Sequence, residues 1–127
     1  MLIVKASVRP SHIHNVGLSA DEAIRRGTSV WQFDPRFDFV FDADEMADIP
    51  EFQRHFIKHF GALEKTSNAY ILSLDDSRFM NHADDPNLEA TKTGIIARRD
   101  IQKGEEMTID YRLIDAQDAL REESYLK

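Results

Sequence analysis

Short apolar segments separated by turn residues run along most of the chain, and this pattern is typical of a protein built from many short β-strands. The strand candidates are residues 2–4, 30–33, 37–41, 69–72, 94–97 and 106–111. Phenylalanine occupies every second position from Phe37 to Phe41, so one face of that segment is expected to be buried. Because only a short turn separates it from residues 30–33, we predict that the two segments form a β-hairpin.

One stretch in the middle of the chain has helical periodicity instead. Its apolar side chains recur three or four positions apart: Phe52, Phe56, Ile57 and Phe60. Pro50 suits a first helical turn, Asp48 is a candidate N-cap, and Gly61 is a natural helix end. We therefore predict a helical insert at about residues 48–62. A weaker apolar stripe predicts a tail helix at about residues 115–126.

Length and composition indicate one globular domain. The chain has 127 residues, 42% of them apolar, and includes eight Phe and one Trp. Such a chain can build one hydrophobic core and leaves no room for a second folding unit. We therefore expect a single domain over residues 1–127, with a fold that is mainly β with short helices.

The charge balance favours a basic partner. The 23 acidic and 16 basic residues give a formal net charge of -7, which predicts encounter with a Lys-rich protein and no direct binding to nucleic acid. The sequence contains no cysteine, no membrane-spanning apolar run and no signal-peptide pattern. We therefore expect a cytoplasmic protein without membrane association, while a nuclear or host-cell location stays open.

Two polar segments combine residue types that can build a functional site. Residues 78–87 read RFMNHADDPN, and residues 104–111 read GEEMTIDY. Taken singly, the first segment is a surface turn in which His82 packs without further role, and the second is a turn that leads into a strand. Neither segment is specific by itself.

Together and in this order, the two segments closely resemble the signature loop and strand of the SET-domain family. Residues 95–106 are similar to the family's connecting strand and turn, and residues 14–20, HNVGLSA, resemble its Gly-x-Gly-Leu segment. Asn15 replaces the first glycine there, and Asn is the next best residue for a left-handed backbone. The resemblance covers about residues 5–111.

The resemblance implies a SET-domain β-clip-like fold of small curved sheets with a C-terminal pseudoknot. It also implies an activity, which is the transfer of methyl groups from S-adenosylmethionine to a lysine side chain of a protein substrate such as a histone or another basic protein. By the family pattern, the cofactor-binding residues would be Val16, Gly17, Leu18, Arg78, Asn81 and His82. Gly17 would let the backbone approach the methionine end because it has no Cβ.

Tyr111 matches the family's tyrosine at the mouth between cofactor and lysine, so the resemblance implies that it is the catalytic residue. Methyl transfer from a sulfonium is an in-line displacement, which needs alignment of the donor carbon and the acceptor nitrogen. The lysine amine must be neutral to react, although its ordinary pKa is about 10.4. A phenol such as Tyr111 can orient the amine while it stays neutral itself.

The expected substrate channel consists of Ile109, Tyr70 and Tyr125. Ile109 should face the same way as Tyr111 if both lie in one strand, and its lack of a hydroxyl would permit the addition of more than one methyl group. No cysteine follows Tyr111, so the zinc cluster that closes this channel in many histone-directed members is excluded and no metal is expected. Either the tail with Tyr125 or a partner subunit, as in a homodimer, would close the channel instead.

Two other functions stay open. A non-catalytic SET-like module would keep the fold and bind a peptide without methyl transfer, although the retained Asn81, His82 and Tyr111 argue against it. A small metal-dependent hydrolase would use His55 and His59, which are four residues apart on the predicted helix. The Glu-His pair typical of a zinc hydrolase helix is missing.

Overall fold

A computed structural model describes residues 1–64 and 66–114 of the chain. In this part of the chain the strands are β1 (Ala6–Pro10), β2 (Val16–Ala20), β3 (Ser29–Gln32), β4 (Asp38–Phe41), β5 (Ala62–Glu64), β6 (Ala69–Ser73), β7 (Asn81–His82), β8 (Leu88–Ala90), β9 (Gly94–Ala97) and β10 (Glu106–Ile109). The helices are α1 (Ala43–Ala47), α2 (Glu51–Phe60) and α3 (Tyr111–Ile114), and a 3₁₀ helix spans Asp76–Phe79. The tail helix predicted at residues 115–126, with Tyr125, lies outside the described residues.

The described strands form three small sheets. One has the order β1-β2-β10-β7, the second β3-β9-β8 and the third β4-β6-β5. In the four-stranded sheet, β10 pairs antiparallel with β2 and parallel with β7. These small sheets with few short helices confirm the predicted mainly β fold, and they place the two signature segments side by side.

The hydrophobic core joins the four-stranded sheet to the β3-β9-β8 sheet. Its buried side chains come from these sheets and from the turns next to them: Leu18, Ala20, Ile24, Val30, Met80, Leu88, Ala97, Ile101, Met107 and Ile109. Ile24 and Ile101 also exchange backbone hydrogen bonds of 2.8 and 2.7 Å, which tie two turns together. Full burial of one large aliphatic side chain contributes about 1.5–3 kcal/mol, so this core supplies most of the stability of such short strands.

Four described residues have a positive φ: Asn15, Gly27, Asn68 and Gly104. Gly27 and Gly104 have φ values of 85° and 88°, a backbone region that residues with a side chain adopt only with strain. Gly104 lies in the turn that the sequence predicts before residues 106–111. Asn15 has a φ of 38°, which confirms the left-handed backbone expected where it replaces glycine.

The predicted hairpin of residues 30–33 with residues 37–41 is wrong. β3 pairs with β9, and β4 pairs with β6, so the two segments belong to different sheets. The alternating phenylalanines do not mark a buried face either, because Phe39 is exposed.

The contacts of Asp38 explain why β4 pairs with β6 and not with β3. Its buried carboxylate accepts hydrogen bonds from the Asp34 N–H at 2.8 Å and from the Ser73 hydroxyl at 2.7 Å. The α-amino group of Met1 donates to the same carboxylate at 2.7 Å. A buried carboxylate needs such partners. These contacts hold the start of β4 against β6 and the amino-terminal segment.

The first strand begins later than the sequence predicts, and the last strand ends earlier. The first strand begins at Ala6, and of residues 2–4 only Leu2 pairs, through an isolated bridge to β3. β10 ends at Ile109, and Tyr111 begins helix α3. The segment predicted as one strand over residues 106–111 therefore changes direction before it reaches the tyrosine.

The helical segment begins earlier than predicted, because helix α1 (Ala43–Ala47) precedes the insert expected at residues 48–62, and together with α2 it makes a two-helix insert. Helix α1 has Asp42 as its N-cap, and the Asp42 carboxylate accepts the Glu45 N–H at 2.8 Å. Asp48, the predicted N-cap of the second helix, instead follows the end of α1. Helix α2 begins directly after Pro50 and ends at Gly61, as predicted.

Helix α2 buries only part of its apolar stripe. Ile57 is buried, and the ring of Phe60 lies 5.8 Å from that of Phe79. Phe52 is 69% exposed, so helical spacing alone overstated the buried face. No helix in the described part of the chain is long and apolar enough to cross a membrane.

Removal of the Asp38 carboxylate is expected to destabilise the fold. Asp38→Ala leaves the Ser73 hydroxyl and the Asp34 N–H without their acceptor, and we expect a loss of about 2–4 kcal/mol in the free energy of unfolding in urea. Asp21→Ala is the matched control, because it removes a partly exposed carboxylate that pairs with Arg9 at 3.3 Å and accepts the Ser7 hydroxyl at 2.8 Å. That control should lower the unfolding midpoint much less, because solvent can replace these contacts. Equal effects of the two variants would contradict the role of Asp38.

Candidate active site

Ser11 organises the turn between β1 and β2. Its hydroxyl oxygen accepts the N–H groups of Ile13 at 2.9 Å and His14 at 3.3 Å, and its own N–H donates to the Asn15 carbonyl at 3.0 Å. The Ser11 hydroxyl donates in turn to Glu106 Oε1 at 2.7 Å. The turn is therefore held against the first residue of β10.

Gly17 lies where β2 passes close to two polar side chains. A Cβ at this position would collide with the Glu106 carboxylate and would lie 2.9 Å from Asn81 Nδ2. Any other residue would have to displace the end of one of these side chains, so glycine is the residue that leaves the hydrogen bond between them undisturbed.

Asn81 is the centre of this polar region. It lies in β7 beside β10 and is 7% exposed. Its Nδ2 lies 2.9 Å from Glu106 Oε2, 3.0 Å from the Val16 carbonyl, 3.1 Å from Ser11 Oγ and 3.4 Å from the His14 carbonyl. One amide nitrogen thus ties together β7, β10 and the start of β2. We call this group the Asn81 cluster: Ser11, Val16, Gly17, Asn81 and Glu106.

His82 connects the Asn81 cluster to Tyr111. Its Nδ1 accepts the Tyr111 backbone N–H at 3.1 Å, and its Nε2 lies 3.1 Å from Asp84 Oδ1. A ring nitrogen that accepts a hydrogen bond carries no proton, so Nε2 is the nitrogen that donates to Asp84. The ring centroids of His82 and Tyr111 are 5.5 Å apart. His82 therefore fixes the position at which helix α3 begins.

Tyr111 occupies the first position of helix α3, and its hydroxyl donates to the Met80 carbonyl. The expectation that Ile109 and Tyr111 share one strand face is wrong, because the strand ends at Ile109. Ile109 is 1% exposed and packs in the hydrophobic core. Its place in a substrate channel stays a prediction.

Charged residues surround the start of α3. The Arg112 guanidinium lies 2.9 Å from Asp110 and 3.2 Å from Asp84. The hydrogen bonds from Arg112 lower the pKa of the Asp110 carboxyl, so this group is ionised at neutral pH. Asp110 and Arg112, the residues on either side of Tyr111 in the sequence, are thus tied to each other and to Asp84 by ion pairs.

Asn87 was not assigned from the sequence, although it is the last residue of the RFMNHADDPN segment. It is buried, and its Nδ2 donates to the Glu105 carboxylate at 2.9 Å and to the Glu106 carbonyl at 2.8 Å. Its Oδ1 accepts the Thr108 N–H at 2.9 Å. Asn87 thus hydrogen-bonds β10 as a neighbouring strand would. Ser11 was missed in the same way, because no local pattern distinguishes it from an ordinary turn residue.

The predicted cofactor residues are brought together only in part. Val16 and Gly17 contact Asn81, and His82 follows it in β7. Leu18 is 0% exposed, packs in the core and pairs with both β1 and β10, so its contact with a cofactor stays a prediction.

Arg78 lies on an aromatic surface. Its guanidinium carbon is 5.5 Å from the ring centroid of Phe60 and 4.9 Å from that of Phe79. Its Nη1 donates to the Leu74 carbonyl at 3.3 Å. The side chain therefore anchors the 3₁₀ helix to helix α2, next to the strand that carries Asn81.

Tyr70 lies in the β4-β6-β5 sheet and lines a cavity of about 360 Å³. Met46, Arg54 and Lys58 line the same cavity from the two helices of the insert. Tyr70 therefore faces the helical insert, and its contribution to a substrate channel stays a prediction, as does that of Tyr125.

The geometry offers no support for a metal-dependent hydrolase. Within residues 1–64 and 66–114, no group of three His, Asp or Glu side chains could hold a metal ion. His55 and Glu51 lie 3.9 Å apart on helix α2, and both are exposed to solvent.

Comparisons with known proteins agree with the fold. The family model for the SET domain matches residues 15–112, and solved structures described below share the fold. The chain therefore belongs to the SET-domain family. The matched region contains Asn81, His82 and Tyr111. A comparison with curated protein sequences gives no match.

Three solved structures show the shared fold. A Plasmodium falciparum protein described as a candidate histone methyltransferase has a TM-score of 0.61 and 20% identity, over 85% of this chain and 93% of that one. A humanized mutant of Chaetomium thermophilum Polycomb Repressive Complex 2 bound to an inhibitor has a TM-score of 0.66 and 21% identity over 91% of this chain. An apo form of that complex with mutations in Ezh2 has a TM-score of 0.70 and 20% identity over 93% of this chain. This chain spans 16% of each of the two Polycomb chains.

Loss of the Asn87 side chain is expected to destabilise the protein. Asn87→Ala leaves the Thr108 N–H and the Glu106 carbonyl unsatisfied in the interior, which should lower the free energy of unfolding by about 2–4 kcal/mol. Gln53→Ala removes an exposed amide on helix α2 and is the control. If chemical denaturation showed the same midpoint for Asn87→Ala and the unaltered protein, Asn87 would not be the residue that holds β10.

Proposed function

We propose that this protein transfers methyl groups from S-adenosylmethionine to a lysine side chain of a protein substrate. The observation that carries the proposal is the link from the Asn81 cluster to Tyr111 through His82, which follows Asn81 in β7 and accepts the Tyr111 N–H. A region suited to the cofactor thus adjoins a residue that can orient an amine. Membership in the SET-domain family supports the same activity.

The Asn81 cluster suits the amino-acid end of S-adenosylmethionine. It contains hydrogen-bond acceptors such as the Val16 carbonyl and the Asn81 side-chain oxygen, and the Glu106 carboxylate holds the Asn81 amide in place. An α-ammonium group is positively charged and carries several N–H donors, so it is the type of group that such acceptors bind. Gly17 leaves the β2 backbone without a side chain at this point. The bound cofactor would supply an activated methyl group on a sulfonium.

The other cofactor contacts are proposed from the family resemblance. The backbone from Val16 to Leu18 would lie along the methionine end, and the backbone at His82 would hold the adenine. Arg78 would support the side of the cofactor site that β7 forms, since its guanidinium packs on Phe79 just before that strand.

Tyr111 is proposed to orient the lysine amine. Because its hydroxyl hydrogen points to the Met80 carbonyl, the phenol oxygen meets a substrate amine as an acceptor. An amine that donates one hydrogen to this oxygen can direct its lone pair at the methyl carbon. Burial of the lysine beside a positive sulfonium lowers its pKa, which favours the neutral amine that the reaction needs.

The substrate is proposed to be a lysine within a basic protein segment. The net charge of -7 attracts such segments at long range. The exposed carboxylates of Asp84 and Asp85 are paired with arginines, so the attraction comes from the overall charge more than from these two residues. The Plasmodium neighbour is described as a candidate histone methyltransferase, so histones are the first substrates to test.

The direct test is incubation with radiolabelled S-adenosylmethionine and a panel of lysine-rich proteins that includes histones. We expect label on a substrate protein and methyllysine in its peptides by mass spectrometry. A non-catalytic SET-like module would transfer no label, and a module that has also lost the cofactor would show no heat of binding with S-adenosylhomocysteine.

Asn81→Ala is expected to weaken S-adenosylmethionine binding at least tenfold, because hydrogen bonds to a charged group are each worth about 1.5–3 kcal/mol. Calorimetric titration of the folded variant measures the loss, and near-ultraviolet circular dichroism checks the fold. Gln53→Ala should bind as the unaltered protein does. Unchanged cofactor affinity in folded Asn81→Ala would remove Asn81 from the cofactor site.

Tyr111→Phe is expected to retain cofactor affinity and to lower turnover, because it deletes only the hydroxyl that orients the amine. Separate measurements of cofactor binding and of kcat distinguish the two effects. If kcat were unchanged, the role of Tyr111 would be structural and the proposed mechanism would be wrong.

A further inference from the structure

The orientation of the Asn81 amide is determined by its neighbours. The two shortest contacts of Nδ2 are with Glu106 Oε2 at 2.9 Å and the Val16 carbonyl at 3.0 Å. A carboxylate and a carbonyl oxygen can only accept hydrogen bonds. A flipped amide would place Oδ1 against both of these oxygens, so the NH₂ group must face them.

Ser11 fixes the same orientation from the other side. Its hydroxyl hydrogen goes to Glu106 Oε1 at 2.7 Å, which makes Ser11 Oγ an acceptor toward Asn81 Nδ2 at 3.1 Å. The N–H of Ile13 also donates to Oγ, at 2.9 Å, and opposes any reversal of the hydroxyl. The hydrogen bonds from the turn through Ser11 to Glu106 therefore have one direction only.

We infer that Glu106 and Ser11 are positioning residues that turn the Asn81 amide so that its Oδ1 is presented to the α-ammonium group of the cofactor. This inference rests on the proposed function, since it names the residues that make Asn81 an acceptor rather than a donor. Within the described residues, all hydrogen bonds of the Asn81 side chain use Nδ2. Oδ1 of Asn81 is thus the amide atom that can accept a hydrogen bond from a cation.

The inference predicts selectivity for one end of the ligand. S-adenosylhomocysteine carries the α-ammonium group, whereas 5′-methylthioadenosine lacks the whole amino-acid end and keeps the adenosine and sulfur. Glu106→Gln preserves the size of the side chain beside Gly17 but offers an NH₂ group as well as an oxygen, so the Asn81 amide loses one of the two acceptors that fix its orientation. Ser11→Ala removes the hydroxyl that hydrogen-bonds both Glu106 and Asn81, and it leaves the Glu106 carboxylate in place.

Calorimetric titration of both ligands tests the inference. We expect Glu106→Gln to weaken S-adenosylhomocysteine binding about tenfold, the size of one lost hydrogen bond to a charged group. Binding of 5′-methylthioadenosine should stay within about twofold, because it makes no contact that depends on the amide. Ser11→Ala should shift the ratio of the two affinities in the same direction by a smaller factor.

Two matched controls separate this effect from general damage. Glu105→Gln makes the same chemical change at the adjacent residue, whose carboxylate binds Asn87 at 2.9 Å. Ser7→Ala removes a serine hydroxyl in β1 that donates to Asp21 at 2.8 Å. Neither control should alter the ratio of the two affinities.

A double-mutant cycle shows whether Glu106 acts through Asn81. In an Asn81→Ala background, Glu106→Gln should have no further effect on S-adenosylhomocysteine affinity. A persistent effect would mean that the Glu106 charge acts on the ammonium directly and would overturn the inference.

Equal weakening of both ligands by Glu106→Gln, or no weakening of either, would also overturn it. Failure of the unaltered protein to bind S-adenosylhomocysteine would overturn the proposed function, and the inference with it.

Discussion

Strand β10 is the element on which the rest of the structure depends, because separate parts of the chain all hydrogen-bond to its four residues. β2 pairs with one edge of the strand and β7 with the other. Asn87 satisfies the Thr108 N–H and the Glu106 carbonyl, which no strand reaches. The strands of this domain are short, so the buried amide of Asn87 supplies hydrogen bonds that a neighbouring strand supplies in a larger sheet. β10 is therefore stable only when β2, β7 and the loop that carries Asn87 are all in place.

The same contacts determine the geometry of the proposed active site. The parallel pairing of β7 with β10 sets Asn81 opposite Thr108 and His82 opposite Ile109. Two residues beyond β10, the Tyr111 N–H donates to the His82 ring, and His82 directly follows Asn81 in β7, so the cofactor region and the tyrosine are neighbours. Stability and function thus rest on shared interactions. Loss of activity in a variant of β7 or β10 therefore needs a parallel measurement of folding before it is assigned to chemistry.

Local features of the protein could be predicted from the sequence, whereas features that depend on distant residues could not. The turn at Gly27 is local, since a positive φ requires only the glycine itself. The false hairpin arose because Asp38 finds its partner at Ser73, far along the chain, and periodicity carries no information about such pairs. The candidate site was found only through the family resemblance. Even then, the role of Asn87 and the helical start at Tyr111 depend on tertiary hydrogen bonds that no segment shows alone.

The central claim is that the Asn81 cluster, next to Tyr111, holds the cofactor. The most direct measurement is an amide correlation spectrum of ¹⁵N-labelled protein during titration with S-adenosylhomocysteine. The account predicts saturable shifts of the Gly17 and His82 backbone amides and of the Asn81 side-chain NH₂ group, with smaller changes at residues that line the cavity beside Tyr70. Saturable binding that shifts only resonances remote from β7 and β10, or no shift at any ligand concentration, would contradict it.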